Sequence, residues 1–101
     1  MKRACRITRH ARTDLRQIWN YLAEYASFEV ADNVIADIHA GIEQIERSPG
    51  VGHDRTDLTP LPVKFYLIHS YLIIYTQKPS LAVVRILHAA RDIPSILSPG
   101  G

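Results

Sequence analysis

The residues best able to do chemistry stand near the end of the chain, in the run "VVRILHAARD" at 83–92. Arg85 interrupts apolar, strand-like residues, and His88, Arg91 and Asp92 follow it closely. A histidine gives or takes a proton near neutral pH, so His88 is a candidate acid or base. An arginine offers a planar fork of donors to a carboxylate or phosphate, and arginine outnumbers lysine nine to three in this chain. Each residue also has a structural use. His88 can bond Asp92 or the backbone where a strand gives way to a helix, and Asp92 suits a helix N-cap better than a catalytic carboxylate. Arg85 must reach solvent, an acid of its own chain such as Asp92, or an acid of a partner, because a lone buried cation is costly. Arg91 and Asp92 are sequence neighbours, which does not imply a mutual pair.

The remaining polar candidates are scattered. Arg55, in a loop, is either a surface contact or an ordinary exposed arginine. His10, His39 and His53 fall at a helix start, on a helix and in a loop. With Cys5 the single cysteine and no His-x-x-x-His pair, neither a metal site nor a cofactor is expected.

These residues must be positioned by elements that the pattern makes legible. "RACRIT" reads as a short strand with Cys5 and Ile7 on one face. Thr8 is a plausible N-cap for a helix whose apolar positions Ala11, Leu15, Ile18, Leu22 and Tyr25 recur every three or four residues. Trp19 widens that stripe and is a candidate partner contact. Ser27 caps a second helix carrying Ala31, Val34, Ile35, Ile38, Ile42 and Ile45 on one side, so the two form an antiparallel hairpin. Gly41 is expected to let the second helix approach the first. Residues 48–62, with three prolines and two glycines in "SPGVGHDRTDLTPLP", read as loop. Strands follow at 63–69, 71–77 and 81–88, with a tight turn at Ser70 and a second turn at 78–80. "RDIPSIL" closes the chain as a helical turn, and "SPGG" as a frayed end.

The fold class is therefore α+β: β-α-α-β-β-β with a helical hairpin on one face of a small sheet and a short C-terminal helical turn. The long last strand should be central, with the first strand pairing at the far side of the sheet. Simple alternation puts Val84 and Ile86 toward the helices, and Val83, Arg85 and Leu87 toward an open face.

Totals set the outer bounds. A chain of 101 residues holds one core, so 1–101 is expected to be a single domain. No apolar run reaches the ~20 residues of a membrane span, and the basic N-terminus lacks the apolar stretch of a secretory signal. A cytoplasmic protein is expected. The net charge of +2 hides an uneven spread. Residues 1–20 hold six cations against Asp14, residues 21–58 hold eight acids against Arg47 and Arg55, and the rest is again basic. Such a division suits charged partners, or simply a solvated mixture of charges.

Three segments carry a family likeness: "ARTDLRQIWNYL", "IEQIERSPGVGHDR" and "LIIYTQ…LAVVRILHAARD". In this order they resemble toxins of the RelE/ParE superfamily, and most of all its ParE-like, plasmid-stabilisation branch. The likeness runs over roughly residues 4 to 97. It implies the toxin of a type II toxin–antitoxin system, neutralised by a cognate antitoxin protein and acting on DNA gyrase without catalysis of its own. The superfamily's other branch implies a metal-independent, RelE-like ribonuclease that cuts mRNA on the ribosome. That chemistry needs a base for the ribose 2′-hydroxyl, cations for the charge on phosphorus and an acid for the leaving oxygen. Its candidates here are Lys64, His69, Tyr71, Arg85, His88 and Arg91. Residues 59–101 supply only four lysines and arginines, which favours the protein-binding reading. On that reading the partner-binding candidates are Arg85, His88, Arg91, Arg55 and Trp19.

Overall fold

A computed structural model describes residues 4–98, so Lys2, Arg3 and most of the expected "SPGG" end lie outside the described residues. Three helices start where short polar side chains can accept the first free amides. Thr8 accepts from the Ala11 amide at the start of α1 (Arg9–Tyr25). Ser27 does the same for Val30 at the start of α2 (Phe28–Arg47). Asp92 caps α3 (Ile93–Leu97), taking the Ser95 hydroxyl at 2.6 Å. Each cap satisfies donors that the helix cannot satisfy internally.

The strands are β1 (Arg6–Ile7), β2 (Lys64–Ile68), β3 (Tyr71–Thr76) and β4 (Ala82–His88). They form one sheet in the order β1-β4-β3-β2. β2, β3 and β4 are antiparallel neighbours, while β1 runs parallel to β4 at the opposite edge. The α+β architecture, the helical hairpin and the terminal helix are those read from the sequence. β1 is shorter than expected, at two residues.

Three findings differ from the sequence expectation. First, alternation fails along β4. Ile74 pairs with Arg85, but Tyr75 pairs with Val83, so Val84 is the extra residue of a β-bulge. One inserted residue exchanges the faces of what precedes it. Val83 joins Ile86 against the helices, while Val84 and Leu87 pack on the other side.

Second, that other side is not open. Val63, Phe65, Leu72, Ile74, Leu87 and Ile93 form a second buried cluster, with Leu58, Ile96 and Leu97 packed against it. The 58–63 segment and α3 thus cover the face opposite the hairpin. This explains why β3 is buried from Tyr71 through Tyr75, without the alternation of a half-exposed strand. Third, Gly41 packs against the sheet and not against α1: a Cβ there would lie 2.8 Å from Cγ1 of Ile68.

The helix-facing cluster includes Ala11, Ile38, Ile42, Ile45, Ile73, Tyr75, Val83 and Ile86. Full burial of each large aliphatic side chain contributes roughly 1.5–3 kcal/mol. Tyr75 adds a tether, donating to the Pro49 carbonyl at 2.8 Å and accepting the Gly52 amide at 2.9 Å. This holds the start of the long loop to the sheet. Among the described residues, no helix is long and apolar enough to cross a membrane.

Candidate functional site

Because β1 ends at Ile7, the outer edge of β4 beyond Val83 has no strand beside it, and α1 supplies the missing partners. The Thr8 hydroxyl donates to the Val84 carbonyl at 3.2 Å. Nearly two turns further on, Asp14 accepts the Ile86 amide at 2.9 Å. Its two oxygens also take Nε and Nη2 of Arg85, at 2.9 and 3.1 Å. The Asp14 side chain is 5% exposed and that of Arg85 20% exposed. Arg85 is therefore held by an acid of its own chain, Asp14 and not Asp92, and does not stand free on an open face. The bulge turns the strand so that this guanidinium lies at its edge. Sequence reasoning missed Asp14, yet a signal was present: it falls between Ala11 and Ile18, inside the helix's apolar stripe, where an acid needs a partner.

Beyond Asp14 the surface opens into a groove of about 710 Å³ between α1 and the adjoining ends of β3 and β4. Ile18, Leu22, Val34, Tyr71 and Leu87 give it apolar walls, while His69, His88 and Arg91 stand among its polar lining. His88 and Arg91 are exposed and meet here as the sequence suggested. Nδ1 of His88 accepts the Ala90 amide at 3.0 Å, so the neutral ring carries its proton on Nε2. The ring also stands edge-on to Tyr71, with centroids 5.2 Å apart. Tyr71 is a poor base at neutral pH: burial pushes its hydroxyl above the usual tyrosine value, and neighbouring Tyr21 adds to the shift. His69 sits at φ 54 in the β2–β3 turn, and its Nε2 is 2.6 Å from the Asp37 carboxylate.

The other candidates lie elsewhere. Lys64 is at the far end of the sheet, opposite Tyr75, whereas His88 is opposite Tyr71. Four strand residues separate those registers, about 13 Å along the sheet. Lys64 pairs with Asp54 at 3.1 Å, beside a hollow of about 930 Å³ that Arg55 also lines. Arg55 makes two bonds to Asp57, at 2.9 and 2.8 Å. That contact raises the arginine's pKa and lowers the aspartate's, first through the hydrogen bonds. Trp19 belongs to the hairpin, donating to Asp32 at 2.8 Å and stacking on Phe28.

Comparison with known proteins places this geometry in a family. The profile described as the ParE toxin of type II toxin-antitoxin system, parDE, matches residues 5–93. Toxin ParE1 of Caulobacter vibrioides is 28% identical over 87 residues, which are 86% of this chain and 90% of that protein. A structure described as the chromosomal ParDE TA system from P. aeruginosa superposes with a TM-score of 0.74 at 19% identity. The superposition covers 86% of this chain and 96% of the other, and shows the same fold. With the profile spanning both helices and the whole sheet, the chain belongs to the ParE toxin family of type II toxin–antitoxin systems.

Proposed function

We propose that this toxin inhibits DNA gyrase by binding it, and that a cognate antitoxin neutralises it by laying an apolar segment with acidic flanks into the groove beside α1. The site of action is then the cytoplasm, where gyrase works. Family membership supports the toxin role. The observation that carries the choice against catalysis is the dispersal of the polar candidates. A ribonuclease of the RelE kind must bring a base, an acid and several cations onto one scissile phosphate. Here Arg85 is engaged by Asp14, Lys64 stands about 13 Å from His88 along the strands, and Tyr71 keeps its proton.

The groove has the anatomy of a peptide-binding cleft: an apolar floor with a few polar groups at its margin. In this reading His88 Nε2 and the Arg91 guanidinium contact the partner, and Arg85 stiffens the strand behind them. Trp19 and Arg55 are peripheral.

Supercoiling of relaxed plasmid by gyrase, with and without this protein, tests the proposal. Dose-dependent inhibition, relieved by the co-purified product of the adjacent gene, is expected. Codon-specific cleavage of mRNA on programmed ribosomes, with supercoiling unaffected, would overturn it.

A further inference from the structure

The groove leaves unexplained the most basic surface of the molecule. Arg9, Arg12 and Arg16 of α1 are all exposed, as is Arg6 on the adjoining β1. At 100° per residue the three helical arginines fall within an arc of about 60°, on the side away from buried Ala11 and Asp14. They extend over about 10.5 Å of helix. None of the four is in an ion pair among the described residues. Arg12 donates Nε to the Ile7 carbonyl, which leaves its terminal nitrogens uncommitted to that bond.

The placement works against the helix itself. The first turn of α1 contains no acid, and Arg9 and Arg12 stand where the positive end of the helix dipole disfavours cations. Against that, the fold gains from Arg12 a single exposed bond to Ile7, and a sequence that breaks a local rule for so little points to another use for those residues.

The geometry points to a duplex DNA contact: the outward face of α1, with Arg6, binds the phosphate backbone. Two features choose duplex DNA over other partners. The residues interspersed on this face, Thr13, Asn20 and Ala23, are small or polar, so the row itself lacks the apolar centre of a protein interface. The aromatic side chain beside the arginines, Trp19, already stacks on Phe28 and donates its indole N–H to Asp32 at 2.8 Å, so it is no free platform for the unpaired base that single-strand binders stack. A straight row of guanidinium groups on a rigid helix suits contacts to phosphates, which position a protein without reading sequence. The toxin would then hold its target's DNA with one surface while the groove remains for protein partners.

Fluorescence anisotropy with a labelled 20-base-pair duplex tests this on the toxin alone, without gyrase, so it stands or falls apart from the gyrase proposal. Four phosphate contacts predict a log–log salt slope near −3.6, or roughly a hundredfold loss of affinity between about 50 and 200 mM salt. The triple variant Arg9→Ala/Arg12→Ala/Arg16→Ala should bring the slope to about −1, with no fall in melting temperature. Arg47→Ala, on α2, should change little. Absence of binding to the unaltered protein at 50 mM salt would overturn the proposal, and this needs no variant. So would an unchanged slope in the triple variant, or binding of single-stranded RNA or polyglutamate as tight as that of the duplex.

Discussion

Arg85 and His88 lie three residues apart on β4 and meet opposite fates. Arg85 is wrapped against Asp14 at the strand's bare edge, in a contact that also satisfies the Ile86 amide. His88 ends the strand in the open, tied among the described residues to the turn after it and to the edge of Tyr71. Both are basic residues on one strand, but the first supports the sheet and the second lines a groove. The difference lies in what runs alongside: α1 crosses the edge at Asp14 and leaves a gap toward Tyr21. A polar residue in a strand is therefore not by itself a functional signal. What decides is whether the neighbouring element brings a partner.

The sharpest way to break this contrast is to remove Asp14. Asp14→Ala leaves a mostly buried guanidinium and an unpaired amide, and should cost about 3–5 kcal/mol. In a domain of this size that is a fall in melting temperature of more than roughly 12 °C. Thermal denaturation followed by circular dichroism measures it, and a loss below 1 kcal/mol would show that the edge is not locked as described. Arg85→Ala strands the acid instead and should be similarly damaging. The double change Asp14→Leu/Arg85→Met should do less harm than either single one, because it leaves no charge unpaired.

A second locked point tests whether such tethers are general. Tyr75→Phe strands the buried Gly52 amide and frees the Pro49 carbonyl. Urea titration should record a loss of about 1–3 kcal/mol. An unchanged midpoint would mean that the loop is held by packing alone.

Alkali should separate the two regions in another way. Burial is the first cause of the raised values of Tyr71 and Tyr75, so the folded state keeps protons that the unfolded chain releases. Their contribution is complete below pH ~10 and is lost as pH rises through the folded values. Stability should fall above pH ~10, and Tyr75→Phe should flatten that fall. A fall of equal steepness in Tyr75→Phe and Tyr71→Phe variants would assign it to other groups.

The smallest effect on stability is expected in the groove. His88→Ala and Arg91→Ala should each stay within about 0.5 kcal/mol of the parent, since both side chains are exposed. Antitoxin affinity, measured by calorimetry, should nevertheless fall at least about tenfold, the equivalent of 1.4 kcal/mol. Unchanged affinity in both variants would remove these residues from the contact.

Much of the molecule was written locally. Thr8, Ser27 and Asp92 cap their helices because a short side chain reaches amides two or three residues ahead. The spacing of Ala11, Leu15, Ile18 and Leu22 makes α1 amphipathic wherever it packs. The runs at 63–69, 71–77 and 81–88 could hardly be other than strands, each within a residue of its observed ends, and the order of elements follows. Interactions of such short range need nothing from the rest of the chain.

The tertiary structure decided the rest. Whether Val83 or Val84 faces the helices depended on a bulge, which shifts register by one residue without altering the strand's composition. That Arg85 finds Asp14, 71 residues earlier, depended on β1 ending early and α1 crossing the exposed edge. The same crossing separates a consumed arginine from an exposed histidine, and it carries Arg9, Arg12 and Arg16 outward as a row. Gly41 met Ile68 for the same kind of reason: the choice between two neighbours is made by packing. Periodicity says which side of an element is apolar, but only assembly says what stands against it, because contacts between distant residues form where whole surfaces fit.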